Sequence, residues 1–213
     1  MTRYPGARSA RRHLERQLLA SWLPGRAWYR GGKVPDPQKA GGFRLDDPDG
    51  EVGIEFMVVT EHSGTQPHTY HVPLTYRGSP LPDAAEALVG TSEHGVLGTR
   101  WVYDATRDPV AMAQIVALLT GHARPQAQSA SDTPDPSVTV HSTDTLSAAV
   151  GFGPVRDGSS STDITVGSRI IRIHRLLQAP ISPAEPAVAG RVSAPWRLGA
   201  DVIGTGVLIS VAA

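Results

Sequence analysis

The chain has 213 residues, with 20 lysines and arginines, 20 aspartates and glutamates, a formal net charge of zero and no cysteine. A neutral chain lacks the dense basic surface that binding to a polyanion in salt requires, which argues against a nucleic-acid partner. The missing cysteines exclude disulfides, thiolate metal ligands and a cysteine nucleophile.

The N-terminal region predicts a helix that covers a sheet. Ser9 is a suitable N-cap, and Pro24 is a suitable stop. Between them, Leu14, Leu18 and Trp22 follow one another at spacings of four. No apolar run near the N-terminus is long enough for a signal peptide or a membrane span, so we expect a cytoplasmic protein without a membrane partner.

The segment after this helix, residues 21–33, combines aromatic, basic and glycine residues. Its glycines permit a sharp bend. Trp28 and Tyr29 either anchor the helix on the sheet or present a stacking surface, and anchoring is the favoured interpretation. Trp28, Tyr29 and Lys33 are nevertheless candidate residues facing a ligand or a partner.

Residues 50–77 carry the clearest pattern in the chain. Apolar residues occupy every second position from 52 to 58 and from 70 to 76, and this period of two is typical of half-buried strands. Residues 43–46 alternate in the same way, and the turn residues that follow join them to the next strand. We therefore predict a three-stranded antiparallel meander with one apolar face, covered by the flanking helices.

The next stretch predicts a short helix at 82–88, a strand at 101–103 and then a longer helix. Asp108 and the proline after it form a strong helix start, and Gly121 suits the helix end. Because residues 110–119 are almost wholly apolar, this helix must be covered on nearly every side. We expect it to pack on the sheet beside the first helix.

A glycine-flanked loop contains His94 and is followed by Arg100, Tyr103 and Asp104. An imidazole, a guanidinium, a carboxylate and aromatic rings brought together by one loop suit a polar ligand. The alternative places the aromatic rings in the core and makes Asp104 the cap of a turn, and this alternative is favoured. The four residues remain candidates for facing a ligand or a partner.

Residues 123–137 offer only small apolar side chains, too few to offset the entropy of ordering, and are interpreted as a linker. A first domain then spans residues 1–122 and a second spans 138–213. The second contains short β-rich runs, with Gly167 and Ser168 at hairpin spacing, and predicts a small, mostly β fold.

The sequence indicates neither a catalytic residue nor a metal or cofactor. His68 and His71 fall on opposite faces of a strand and therefore do not share one ion. The serines at 159–161 have no histidine and aspartate arranged with them, so a serine hydrolase is not indicated.

Several of these segments, taken in order, resemble the N-terminal part of the maltokinase family, within the aminoglycoside-phosphotransferase-like kinases. The resemblance covers roughly residues 14–121 and implies a cap domain with a cystatin-like, α+β fold, an antiparallel sheet packed on helices. The matching features are the Trp-Leu-Pro at Trp22, the segment beginning at Trp28, the strand at 53–59, the strand beginning at Tyr70, Val89 with Gly90, and Tyr103 and Asp104 followed by Asp108 and Pro109.

The second domain resembles a remnant of the N-lobe of the same kinases. In that resemblance residues 157–162 correspond to the phosphate loop and residues 169–175 to the strand that carries the ATP-binding lysine. Arg172 is the nearest basic residue and hence a candidate nucleotide contact, although a forked guanidinium is not equivalent to a lysine. The family's catalytic base and magnesium ligands lie in a C-terminal lobe whose motifs are absent from this sequence, so we expect a truncated kinase homologue without kinase activity.

Three functions stay open. The first is a noncatalytic binding or regulatory module whose partner is a protein, such as an enzyme of glycogen or other α-glucan, trehalose or maltose metabolism. The second is a binder of a nucleotide or a sugar. The third is a glucan-active enzyme, for which no pair of acid and base carboxylates is located. The oligomeric state is left open.

Overall fold

The computed structural model describes residues 5–94, 98–128, 133–141, 146–147, 151–178, 188–199 and 201–212, and the side chains of these residues apart from 5–13 and 94. The described part of the chain forms two α-helices and thirteen β-strands, and all strand pairs are antiparallel. The predicted α+β fold, a mostly antiparallel sheet packed on helices, is confirmed.

The helices are α1 (Pro5–Trp22) and α2 (Pro109–Leu119), with short 3₁₀ turns at Leu23–Gly25, Ala85–Ala87 and Ala105–Arg107. The strands are β1 (Pro37–Leu45), β2 (Gly53–Glu61), β3 (His68–Arg77), β4 (Leu88–His94), β5 (Gly98–Asp104), β6 (Gln126–Ala127), β7 (Thr139–His141), β8 (Val155–Asp157), β9 (Ser161–Val166), β10 (Arg169–His174), β11 (Leu176–Leu177), β12 (Gly190–Arg197) and β13 (Ile203–Ala212).

The N-terminal helix covers the predicted meander of β1, β2 and β3, as expected. Leu19 and Trp22 are buried in one core cluster with Met57 of β2. The helix begins at Pro5 and not at the predicted Ser9. A proline is favourable in the first turn of a helix, because its missing N–H has no intrahelical partner there in any case.

Both faces of the meander are buried, which corrects the prediction of a single apolar face. In β2, Phe56 and Val58 belong to one core cluster, whereas Met57 and Val59 belong to the other. Since neighbouring residues of a strand project to opposite faces, a strand with four consecutive apolar residues must be covered twice.

The second helix supplies the second cover, so α2 does not lie beside α1 as predicted. Met112 and Ile115 of α2 pack in the cluster that contains Phe56. The predicted start of α2 is confirmed, because Asp108 accepts a hydrogen bond of 3.0 Å from the N–H of Val110. Gly121 follows the helix with a φ of +80°, as a left-handed helix end requires.

The C-terminal strands join the same sheet. Their order across it is β4-β5-β3-β2-β1-β12-β13-β10-β9-β8, while β6, β7 and β11 pair with β1, β12 and β3. The predicted hairpin at Gly167 and Ser168 is confirmed between β9 and β10. Part of the predicted linker is paired, because Ala127 in β6 lies opposite Phe43. The domain boundaries themselves stay a prediction.

Within the described residues, two strand pairings connect the strands on either side of the predicted linker. Gly41 in β1 lies opposite Trp196 in β12. At the other end, β11 continues β10 after a single residue and pairs with β3, where Leu176 lies opposite Tyr70. The hydrogen-bonded path through β3, β2, β1, β12, β13 and β10–β11 therefore returns to β3 and closes a ring of strands.

We predict that Gly41→Ala destabilises the fold, because it forces β1 away from β12. A Cβ at this position would lie 2.9 Å from the carbonyl oxygen of Pro195 and 3.1 Å from the Cα of Trp196. Such overpacking costs about 1–3 kcal/mol, which urea unfolding measures. Gly199→Ala is the matched control, since nothing lies within 4 Å of its added Cβ. An equal loss in both variants contradicts the prediction.

Candidate functional site

The sheet forks along one edge of β3. Residues 69–70 of this edge pair with β11, whereas residues 74–77 pair with β5. Asp104 ends β5, and Arg175 connects β10 to β11, so both residues lie where the two branches separate. The fork is thus the place where the N-terminal and C-terminal strands exchange side-chain contacts.

Arg175 is fully buried at this fork. Its Nη2 donates to Oδ2 of Asp104 at 2.6 Å, and its Nε donates to the hydroxyl of Thr162 at 2.8 Å. Thr106 donates its backbone N–H and its hydroxyl to Oδ1 of the same carboxylate. Burial alone raises the pKa of Asp104, but Arg175 and Thr106 together lower it below the usual value.

An aromatic cluster covers the buried guanidinium. The Cζ of Arg175 lies 5.1 Å from the ring centre of Trp28, which contacts the rings of Trp22 and Tyr70 at 5.8 and 5.7 Å. Tyr29 stacks on Tyr70 at 5.6 Å. Burial raises the pKa of Tyr70 to about 12. Trp28 therefore forms a cation–π contact with Arg175 and also packs against the rings of Trp22 and Tyr70.

Glu61 and Ser63 fix the loop that follows Tyr29, since the N–H of Gly32 donates to the hydroxyl of Ser63 at 2.9 Å. The buried carboxylate of Glu61 accepts hydrogen bonds from the N–H groups of Asp36, at 3.0 Å, and Ser63, at 2.7 Å. Burial raises the pKa of Glu61, but these hydrogen bonds outweigh it and keep the pKa below its usual value. A Cβ on Gly32 would lie 2.5 Å from the carbonyl oxygen of Ser63, so only glycine fits this approach.

The structure brings three of the predicted site residues together. Trp28 and Asp104 meet through Arg175, and Tyr29 joins them through Tyr70. Whether any of these residues faces a ligand or a partner stays a prediction.

The other four predicted residues take no part in these contacts. Lys33 is exposed. The hydroxyl of Tyr103 accepts a hydrogen bond from the N–H of Leu81 at 2.9 Å. The guanidinium of Arg100 lies next to Gly78, because a Cβ added to Gly78 would lie 2.9 Å from Nη1 of Arg100. His94 is paired through its backbone with Gly98, and its side chain lies outside the described residues.

Arg172, the predicted nucleotide contact, is not a free cation, because it forms an ion pair with Asp163. Its Nε and Nη2 donate to the two carboxylate oxygens of Asp163 at 2.8 and 2.7 Å. The hydrogen bonds raise the pKa of Arg172. A phosphate contact would have to compete with this bidentate pair, so the nucleotide role stays a prediction without new support.

The predicted phosphate loop forms the turn between β8 and β9. The carbonyl oxygen of Ser160 accepts hydrogen bonds from the backbone N–H groups of Arg175, at 2.8 Å, and Leu176, at 3.1 Å. That of Ser159 accepts one from Nη2 of Arg30 at 3.0 Å. The turn therefore fixes the start of β11 and contacts the loop that follows Trp28.

Sequence reasoning missed Arg175, the centre of this cluster, although a signal for it exists. Ile171 and Ile173 of β10 are fully buried, and Arg175 comes next in the same period of two. A charged residue that continues an apolar stripe indicates a buried cation with a partner elsewhere in the chain. The sequence alone does not identify that partner.

His71 faces the core cluster that contains Phe56, whereas His68 contacts Tyr70 of the other cluster, which confirms the prediction that His68 and His71 lie on opposite faces. His71 is fully buried, its ring stacks on Phe56 at 6.0 Å, and its Nδ1 lies 3.2 Å from the carbonyl oxygen of His174. Burial, followed by the nearby positive charge of Arg175, lowers the pKa of His71 to about 3. The imidazole is therefore neutral in the folded state at neutral pH.

A shallow cleft between α1 and the strands β1 and β2 has a volume of about 220 Å³. Leu19 and Met57 line its floor, and Arg16 and Lys39 line its rim. Both cations are paired, Arg16 with Asp36 and Lys39 with a buried glutamate of β2. The described part of the chain contains no group of three His, Asp or Glu residues that could hold a metal ion, and none of its helices is long and apolar enough to cross a membrane.

We predict that Arg175→Met lowers the free energy of unfolding by about 3–5 kcal/mol, because it leaves the carboxylate of Asp104 buried without its cation. Urea unfolding at neutral pH measures the loss. Arg172→Met is the matched control in the neighbouring strand. Its ion pair is 42% and 29% exposed, so its removal should cost at most about 1 kcal/mol.

The double variant Asp104→Asn/Arg175→Met distinguishes the contribution of the ion pair to stability from the contribution of packing. Its loss should be clearly smaller than the sum of the two single losses, since it removes both charges together. Additive losses would show that the pair is not coupled.

We predict that His71 makes the fold less stable in mild acid. Its folded pKa of about 3 lies below the unfolded value of about 6.5. The contribution to stability is complete above the unfolded pKa and is lost as the pH falls towards 3, at up to about 1.4 kcal/mol per pH unit. Urea unfolding from pH 7 to pH 4 should show a shallower decline for His71→Leu, whereas the exposed His62→Gln should keep the wild-type slope. Parallel curves for wild type and His71→Leu would refute the assignment.

The comparison with known protein families gives a match to one part of the chain. The family model of the maltokinase N-terminal cap domain matches residues 22–108, which include β1 to β5. No curated protein matches the chain. The matched segment contains Trp28 and Asp104, whereas Arg175 lies beyond it. Residues 22–108 are therefore similar to the maltokinase N-terminal cap domain, which confirms the resemblance read from the sequence.

Proposed function

We propose that this protein is a noncatalytic binding or regulatory module, related to the maltokinase cap, that docks onto a partner protein. The observation that carries the proposal is the match of residues 22–108 to the cap domain. The partner that this relation suggests is an enzyme of α-glucan, trehalose or maltose metabolism, and the site of action is the cytoplasm.

The use of the polar side chains supports a binding role over a catalytic one. The carboxylate of Asp104 is bound to Arg175 and Thr106, and Arg172 is bound to Asp163. A general acid or base must reach its substrate and exchange a proton with it. These groups instead hold strands together, so the described candidates suit a rigid docking module.

The cleft between α1 and the strands β1 and β2 is small for a ligand pocket. Its volume of about 220 Å³ lies below the roughly 300–1,000 Å³ typical of ligand pockets. The cations on its rim are already paired. A nucleotide or sugar would gain few new contacts there.

We predict that the full chain recovers a specific protein partner but binds neither ATP nor maltose nor trehalose. Tagged protein and a tagged unrelated domain of equal size are incubated with lysate of the native host, and recovered proteins are compared. Isothermal titration with each small molecule should give only heats of dilution. A titration that saturates, together with no partner enriched from the lysate, would contradict the docking proposal and indicate that the protein binds a small ligand.

A further inference from the structure

The outer face of the C-terminal strands carries a straight row of five residues, four of them charged, with the buried Ser210 between Arg191 and Arg172. Arg191 of β12 lies opposite Ser210, and Ser210 lies opposite Arg172 of β10. Arg172 lies opposite Asp163 of β9, and Asp163 lies opposite Arg156 of β8. Directly opposed residues project from the same face. Because neighbouring strands are about 4.8 Å apart, the three arginines follow one another at intervals of about 10 Å.

This row lies on the side of the sheet away from the core. Ile171 and Ile173, the neighbours of Arg172 in β10, are fully buried in the core, so Arg172 projects to the other side. Arg156 and Arg191 are exposed. The side chains of α2 pack on the core side and those of α1 on the meander, so neither described helix covers the row.

The charges of the row are unbalanced. Asp163 is its one carboxylate, and it is occupied by Arg172 through two hydrogen bonds. Within the described residues, Arg156 and Arg191 have no ion pair. A row of three guanidinium groups with one carboxylate attracts an acidic partner and repels a basic one.

Apolar side chains continue the same face towards the end of the β12–β13 hairpin. Ile203 lies opposite Arg197, which is on the same side of β12 as Arg191, and it is 69% exposed. Val202 beside it is 56% exposed. Aliphatic groups are covered by the apolar side chains of a protein and not by the phosphates of a nucleic acid. The combination therefore favours a protein over a polyanion.

The distance along β12 sets the length of the partner segment. Arg197 is six positions after Arg191, which corresponds to about 20 Å of strand. An α-helix of about 13 residues has the same length. Laid along β12, such a helix places an acidic residue over Arg191 at one end and aliphatic residues beside Ile203 at the other. Arg156 lies four strand spacings, or about 19 Å, across the sheet from Arg191 and attracts acidic side chains at the flank of the segment.

We propose that this surface, the arginine face formed by Arg156, Arg172, Arg191 and Ile203, binds an acidic amphipathic segment of a partner protein. The proposal rests on the docking role proposed above, and it adds the location and the chemistry of the contact. Arg156 and Arg191 supply charge, Arg172 stays paired with Asp163, and Ile203 supplies apolar contact.

The test measures fluorescence anisotropy of labelled helical peptides of about 16 residues with the full chain, at an ionic strength of about 0.15 M. The probe consists of glutamate and leucine, and the comparison peptides replace glutamate by lysine or leucine by serine. The wild-type chain should bind the glutamate–leucine peptide, and Arg156→Glu/Arg191→Glu should weaken this binding about tenfold or more.

The matched control is Arg107→Glu/Arg124→Glu, which changes the net charge equally on two exposed arginines outside these strands. It should keep the affinity within about twofold. Ile203→Ser should weaken binding of the leucine peptide but not of the serine peptide. Circular dichroism and urea unfolding confirm that each variant is folded.

Three results of the peptide experiment overturn the proposal: equal weakening in both charge-reversal variants, equal binding of the lysine peptide, or tighter binding of a DNA duplex than of the glutamate–leucine peptide. The duplex result would assign the face to a polyanion. The docking role is tested separately from the arginine face. If a partner recovered from lysate binds Arg156→Glu/Arg191→Glu as well as wild type, the module docks through another surface and only the arginine face is refuted.

Discussion

The buried ion pair between Asp104 and Arg175 is the interaction on which the rest of the architecture depends. It joins the end of β5, within the segment that matches the cap domain, to the start of β11 in the C-terminal part of the chain. A guanidinium without solvent is tolerated only where its charge and most of its donors are satisfied. The fork in the sheet meets this condition with one carboxylate, two hydroxyl groups and the face of Trp28. The two branches are therefore held in one relative position.

The polar groups of the fork are engaged in contacts within the chain. The polar groups near Trp28 are used to close the ring of strands, and Glu61 and the turn at 158–160 hold the adjoining loop. On the outer face, by contrast, Arg156 and Arg191 are exposed and form no ion pair within the described residues. The interior of the fork thus serves stability, and the arginine face is the surface that we propose for association.

Local signals in the sequence predicted the elements well where each signal acts over a few residues. The alternation in β2 and β3, the cap at Asp108, the left-handed Gly121 and the hairpin at Gly167 all depend on neighbours in the chain. The side of the sheet on which each helix packs depends on distant residues, and that prediction was wrong for α2. Trp28 and Asp104 were selected from sequence, but Arg175, which links them, was not.

The sequence by itself determined the strand and helix content, the absence of cysteine chemistry and the resemblance of residues 22–108 to the cap domain, because period, capping and motif order are properties of the linear chain. Only the tertiary structure decided the ring closure, the partner of Arg175 and the alignment of Arg156, Arg172 and Arg191. These features depend on strand register between segments far apart in the chain. The register of a strand is fixed when the apolar residues on its two faces are buried against other elements at the same time. No single stretch of sequence contains that information.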